Sequence, residues 1–517
     1  MPQSHNSEPL EVLSARKEQF ERKRHTVGLF LGPVAGIVVW ALVAGRLPSD
    51  AARLSGILVF VLVYWVTEAI PLPVTAVLGA ALCAVFQVAG AKEAFAPFAH
   101  PLIFLFIGSF LIARAMVVHG LDRRFALAIL SLRSLRGDPK RVLLALGLAC
   151  VVLSMWVSNT ATTAMMLPIA VGLLAAIEQA RGRHEDDSGP LTSRPYATGL
   201  LLMVAYGASV GGIATPVGTP PNLIGIAMLR EYTGTNIDFV HWMILAMPLV
   251  LLMFVYLFVI MNWLHPTGAG KLIGMAEFVR QQRANLGRWT PGQRNTLVAF
   301  LVAVTLWVVP GGVALVCGNN SPPHKWFESS FPEAVSAVLA ASLLFALPIC
   351  WRRREFTLDW KEAACIDWGT ILLFGGGLTM GTLMFQTGLA EALGKGIMHL
   401  TGAEGLWGIT AAAIAMGIIV SEAASNTASA NMVIPVVIAI ANTAGIDPLP
   451  PALGACFGAS FGFMLPVSTP PNAIVYGSGL VPIRKMIRAG VLFDLGGFVT
   501  IFLGLRLLWP LLSRTIL

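Results

Sequence analysis

Apolar residues in this chain come in long, nearly uncharged runs separated by shorter polar segments, and runs at 54–67, 142–176, 240–263, 367–390 and 405–421 approach or exceed the ~20 residues a helix needs to cross a bilayer. The pattern predicts helices at 27–45, 54–70, 73–90 and 100–118, then an amphipathic stretch at 119–141 and an apolar segment at 142–178 with a polar triplet at its middle. A hydrophilic loop at 180–194 precedes 196–229, broken near Gly218-Thr219-Pro220-Pro221, and a plain helix at 240–263. The second half repeats the order: 295–313, 332–350, 367–387, 403–441 with its own triplet, 452–480 with a Pro-Pro break, and 486–511. Pro and Gly within such segments are tolerated only where protein or water satisfies the freed backbone, so each break is expected to face a cavity or the bundle interior.

The repetition extends to individual residues. Ser158-Asn159-Thr160-Ala161, followed by Met165-Met166-Leu167-Pro168, matches Ser425-Asn426-Thr427-Ala428, followed by Met432-Val433-Ile434-Pro435. Gly218-Thr219-Pro220-Pro221-Asn222 matches Ser468-Thr469-Pro470-Pro471-Asn472, and Phe104-Leu105-Phe106-Ile107-Gly108-Ser109-Phe110 weakly matches Leu372-Leu373-Phe374-Gly375-Gly376-Gly377-Leu378. Paired features in one order predict an all-α polytopic membrane protein of eleven spans, one leading helix plus two five-helix repeats.

Charge placement bears on the topology. If both triplet segments are re-entrant hairpins, the N-terminal tail, 119–141, 180–194, 264–294, 351–366 and 481–488 share one side and hold 26 of the 35 Lys and Arg residues. The positive-inside rule makes that side cytoplasmic. The first hairpin then enters from the cytoplasm and the second from outside, which makes the repeats inverted. The expected organisation is a cytoplasmic tail at 1–26, a leading helix and linker at 27–53, a first repeat at 54–263 with hairpin 142–178, a cytoplasmic linker at 264–294, and a second repeat at 295–517 with hairpin 403–441. The N-terminus is expected in the cytoplasm and the C-terminus in the periplasm.

Composition agrees: 56% of residues are hydrophobic and 12% charged, about half the charged fraction of a soluble domain. The net charge of +8 belongs to the basic loops, so it does not signal a nucleic-acid partner. Cys83, Cys150, Cys317, Cys350, Cys365 and Cys456 form no CxxC pair and read as small buried thiols. The polar first 25 residues lack the apolar core of a cleaved signal.

The paired motifs suggest a solute site. Asn offers a carbonyl oxygen to a cation and an amide donor to an anion, and Ser or Thr hydroxyls serve either. At a hairpin tip, helix ends add unpaired carbonyls and amides, and an N-terminus favours a carboxylate. No Arg or Lys lies in either motif, so anion binding is expected to rest on neutral donors, helix ends and an accompanying cation. Glu422, beside the second triplet, reads as tuning cation binding, carrying a proton or standing solvated; Glu68 reads as a helix-end partner of a base. Arg114, Asp367 and Asp494 read as interfacial, and Trp40, Trp65, Trp242, Trp307, Trp368 and Trp509 as interface belts. Amphipathic 119–141 is expected along the cytoplasmic surface. With no positioned nucleophile, base or metal cluster, the chain is not expected to be an enzyme.

At these motifs, and at Trp65-Val66-Thr67-Glu68-Ala69-Ile70-Pro71-Leu72-Pro73, the chain resembles the divalent anion/sodium symporter family over 27–517. The resemblance implies a homodimer in the bacterial inner membrane whose hairpins and broken helices move elevator-fashion against a scaffold. It implies a sodium-coupled importer of C4-dicarboxylates such as succinate, malate and fumarate, with sodium as coupling ion and no organic cofactor. Carried over residue by residue, one sodium site falls to Ser154, Ser158, Asn159 and Gly218, and a second to Ser421, Ser425, Asn426 and Ser468. The substrate would meet Asn159, Thr160, Thr219, Pro220, Asn426, Thr427, Thr469 and Pro470. A dicarboxylate or citrate/dicarboxylate exchanger, a sulfate/sodium symporter and an anion channel are the alternatives.

Overall fold

The computed structural model describes residues 8–131, 138–181, 195–266, 275–318, 320–401 and 405–516. Outside them lie 1–7 of the expected tail, 132–137 of the amphipathic stretch, 182–194 of the hydrophilic loop, 267–274 of the linker and 402–404 at the start of the second hairpin. Nine helices among the described residues are long and apolar enough to cross a membrane, or ten if Pro322–Ser330 and Glu333–Ala346, bent by 59°, form one span. The nine include two hairpin arms, Asn159–Gln179 and Leu406–Ala423, and omit Leu72–Val85 and both broken segments. Leu72–Val85 has 14 residues, ~21 Å of helix against a hydrocarbon core of ~30 Å.

Each triplet sits at a helix-to-helix junction. The first hairpin consists of Pro139–Ser154 and Asn159–Arg181, the second of Leu406–Ala423 and Asn426–Thr443. Ser158 Oγ accepts from the Ala161 amide at 3.3 Å and Ser425 Oγ from the Ala428 amide at 3.1 Å, capping both second arms. Caps also move the ends away from those read by hydropathy. Asp138 accepts from the Lys140 amide at 2.9 Å and Pro139 opens the first arm, which therefore starts before residue 142.

The two Pro-Pro segments break into Pro195–Gly212 with Pro220–Thr233, and Leu449–Gly458 with Pro470–Gly477. Packing across the halves is reciprocal. Leu72–Val85 lies on Trp368–Gln386, and Pro101–Val118 on Glu333–Ala346. Asn159–Arg181 meets Pro470–Gly477, and Pro220–Thr233 meets Asn426–Thr443. Phe239–Leu264 packs on Ile483–Ile516.

Several expectations change in three dimensions. The helix expected to reach residue 350 stops at Ala346, and Pro348–Cys350 pairs antiparallel with Glu355–Phe356. Asn295 holds this turn, donating to Pro348 O at 3.1 Å and Thr357 Oγ1 at 2.9 Å. Trp65, Trp242 and Trp307 are buried, each donating its indole N–H to a backbone carbonyl: Leu72, Ile213 and Glu333 respectively. Hydropathy places them near span ends but does not separate a lipid-facing side from a core-facing one. Trp40 and Trp368 are exposed.

In the amphipathic stretch, Leu121–Leu130 buries Leu121, Ala126, Leu127 and Leu130. Arg123 reaches Gln282 Oε1 at 2.6 Å, while Arg124 reaches Leu286 O at 3.0 Å and covers Trp289. Leu121–Leu130 is thus docked on the linker helix Met275–Asn285 and the turn after it. Glu68 ends Ser49–Thr67 in the left-handed region and pairs with Arg24 at 3.3 Å, the helix-end role expected of it.

A cavity between the two hairpin tips

Both hairpin tips and both breaks open onto one cavity of 640 Å³. All eight residues expected to meet substrate, Asn159, Thr160, Thr219, Pro220, Asn426, Thr427, Thr469 and Pro470, line it, together with Ser158, Gly218 and Ser425. Ser154, Ser421 and Ser468 do not line it; they lie buried behind the tips.

The two tips are built alike. Ser154 Oγ donates to Asn159 Oδ1 at 2.7 Å, and Ser421 Oγ lies 2.8 Å from Asn426 Oδ1 and 2.9 Å from Ala459 O. Each carboxamide rests over a glycine of the facing break. A Cβ on Gly212 would collide with Asn159 Oδ1, and one on Gly462 would lie 3.3 Å from Asn426 Oδ1. The breaks are latched by Asn222 and Asn472, whose motif membership was legible but whose role was not. Asn222 Nδ2 donates to Gly212 O at 2.9 Å and Thr215 O at 2.7 Å; Asn472 Nδ2 donates to Gly462 O and Leu465 O, both at 3.0 Å.

Two kinds of polarity result. Carboxamide and hydroxyl oxygens at the tips, with nearby backbone carbonyls, are neutral oxygen donors suited to a hard monovalent cation. Four helices, Asn159–Arg181, Pro220–Thr233, Asn426–Thr443 and Pro470–Gly477, begin at residues that line the cavity. Their dipoles favour an anion, and Asn159–Arg181 and Asn426–Thr443 add backbone amides that the Pro-Pro starts of the other two lack.

The halves differ around Ser468. Glu422, far from being solvated, is 7% exposed. It accepts from Ser468 Oγ at 2.6 Å and from the Met464 amide at 2.8 Å. Met155 is one residue past Ser154, as Glu422 is past Ser421, and its carbonyl accepts from Thr215 Oγ1. Asp494, expected at the interface, is buried against Glu422. Sequence patterning could not find this pair because the partners lie on different segments, 72 positions apart.

Arg114 and Asp367 line the cavity as well. Asp367 caps Trp368–Gln386, accepting from the Thr370 amide at 3.0 Å and Thr370 Oγ1 at 2.6 Å. Arg114, also expected at the interface, belongs to the stripe of Pro101–Val118 that faces the cavity.

A polytopic helical bundle whose broken and capped helix ends converge on one cavity has the architecture of a membrane transporter. This chain belongs to the family described as the sodium:sulfate symporter transmembrane region, whose model matches residues 23–514. The family resemblance carried by the motifs is thereby borne out, and the protein is a secondary transporter, not an enzyme. Relatives include two proteins named sodium-dependent dicarboxylate transporter SdcS. The one from Staphylococcus saprophyticus is 30% identical over 497 residues, covering 95% of this chain and 93% of its own. The one from Staphylococcus aureus strain RF122 is 28% identical over 502 residues, covering 96% and 94%. In fold, the chain is similar to the YdaH transporter of Alcanivorax borkumensis, with a TM-score of 0.54 at 16% identity over 90% of this chain and 99% of that one. It is also similar to MtrF of Neisseria gonorrhoeae, described with a class of antimetabolite efflux pumps, with a TM-score of 0.51 at 14% identity over 89% and 94%.

Proposed function

We propose that this protein is a sodium-coupled symporter that imports C4-dicarboxylates such as succinate, malate and fumarate across the bacterial inner membrane. The observation that carries the proposal is the meeting of both Ser-Asn-Thr tips and both proline breaks on one cavity. Names of relatives over nearly the whole chain support sodium and dicarboxylate.

On this reading sodium is a co-substrate. One ion sits among Ser158, Asn159, the backbone at Gly218 and the anchor Ser154; the other sits among Ser425, Asn426, the backbone at Ser468 and the anchor Ser421. Hydrogen bonds from the anchors hold the carboxamides still, so little ordering remains to be done when the ion arrives. The substrate's two carboxylates lie at the four helix N-termini, touching Asn159, Thr160, Asn426 and Thr427, with Thr219, Pro220, Thr469 and Pro470 shaping the walls. With no basic residue in either motif, the ions supply the charge that holds the anion, which couples the two cargoes.

The reciprocal packing supports two inverted repeats, and the inversion supplies two related conformations facing opposite sides. Cys365, Ile366 and Asp367 at the cavity wall adjoin the basic loop at 351–366, so the open side is the cytoplasmic one in the topology set by charge. We read hairpins and broken helices as the moving part of an elevator, the remaining helices as scaffold, and the working form as a homodimer with its N-terminus cytoplasmic and C-terminus periplasmic. Each net positive charge carried inward through 100 mV adds ~2.3 kcal/mol to accumulation.

Uptake of labelled succinate into proteoliposomes tests the proposal, with an inward sodium gradient, a potassium gradient or neither, and with or without internal dicarboxylate. Sodium-dependent uptake into empty vesicles is expected. Uptake that needs internal dicarboxylate and ignores sodium would establish an exchanger instead. Since the family description includes sulfate, labelled sulfate forms a parallel arm, and sodium-driven uptake of sulfate alone would reassign the substrate.

A further inference from the structure

We infer that Arg114 is a steering and specificity-determining residue for the transported anion, held at the cavity wall by an exchangeable bond to Glu362. The inference rests on the reading of the cavity as an anion carrier's. Arg114 is the one Lys or Arg among the described residues that line the cavity. Helix ends supply partial positive charges there; Arg114 supplies a whole one.

The guanidinium is only partly used. Its Nη2 lies 2.5 Å from Glu362 Oε2, on the short helix Trp360–Ala363, whereas its Nε is buried without a partner among the described residues. Five N–H donors in a rigid fork exceed what this one contact occupies, so the fork keeps capacity for a second carboxylate. The two side chains are 32% and 39% exposed. At that exposure water screens the ion pair, so exchanging Glu362 for a substrate carboxylate costs little. The acidic neighbour at the wall, Asp367, is engaged with Thr370 and does not compete for the fork. An anion passing Cys365, Ile366 and Asp367 therefore meets Arg114 on the way to or from the hairpin tips, and the attraction grows with the anion's charge.

The test compares Arg114→Gln, Arg114→Lys and Glu362→Gln in proteoliposomes of known orientation, with KM and kcat for succinate measured from each side. Arg114→Gln is expected to raise KM about tenfold from the side onto which the cavity opens, with kcat and the opposite-side KM within about twofold. Arg114→Lys should recover part of the loss, and Glu362→Gln, which releases the guanidinium, should lower KM. A purely structural ion pair would give Arg114→Gln and Glu362→Gln the same sign in KM, kcat and thermal unfolding, and that result would overturn the assignment alone. Absence of dicarboxylate transport by the unsubstituted protein would overturn the carrier reading, and the assignment with it.

Discussion

Asn159 and Asn426 occupy the same environment twice: a buried serine five residues earlier fixes the carboxamide, and a glycine of the facing break leaves room for it. Such local sameness makes the differences informative. Glu422 gives the second tip a buried carboxyl, whereas the first tip has Met155 at the matching place. Away from the cavity, His265 follows Phe239–Leu264 and is buried, with neither ring nitrogen partnered among the described residues. Burial, aided by Lys485 and Arg488, pushes its pKa down from 6.5 to about 4. Between those values the unfolded chain binds a proton that the folded chain refuses, so stability rises with pH across that window and is lost as pH falls through it. Thermal unfolding in detergent from pH 7 to 4 should show a loss on the order of 3 kcal/mol, and His265→Leu should remove that part of the slope. An unchanged slope in the variant would place the loss elsewhere.

Element ends in this protein are set by caps and latches more than by hydropathy. Ser158, Ser425, Asp138 and Asp367 each satisfy amides where a helix begins. Asn222 and Asn472 do the converse, donating to carbonyls released where a helix stops. A break in a membrane helix persists only if those carbonyls find donors. Asn222→Ala or Asn472→Ala should therefore lower stability by about 1–3 kcal/mol and sharply reduce uptake. Asn222→Asp should be worse, since it points an acceptor at Gly212 O and Thr215 O. Uptake assays beside thermal unfolding check this, and full transport by Asn222→Asp would show that the latch is dispensable.

At the scale of the whole molecule, the free thiols report the topology. Cys317 ends the span Pro291–Cys317, Cys365 precedes Trp368–Gln386, and both are exposed, with the bent pair Pro322–Ala346 between them. In the arrangement set by the basic loops they face opposite sides. A membrane-impermeant maleimide should label Cys317 in intact cells and Cys365 in inside-out vesicles, with Cys317→Ser and Cys365→Ser assigning the bands. Labelling of both from one face would defeat the charge-derived topology and with it the inversion of the repeats.

The sequence alone established the membrane class and the duplicated order, and it picked out both triplets and both breaks, which the structure brings onto one cavity. Those features are local: apolar run length, Pro-Pro breaks and repeated short motifs are visible wherever a chain is read in order. Helix ends were legible only to within a few residues, because a side-chain cap such as Asp138 or a turn such as 348–356 can outweigh hydropathy. Which side chain faces lipid, core or cavity depends on neighbours distant in the chain, so only the tertiary structure buried Trp65, Trp242 and Asp494, paired Glu422 with Ser468, and turned Arg114 into the cavity. A bilayer-spanning helix has one sequence but several faces, and packing alone decides what each face meets.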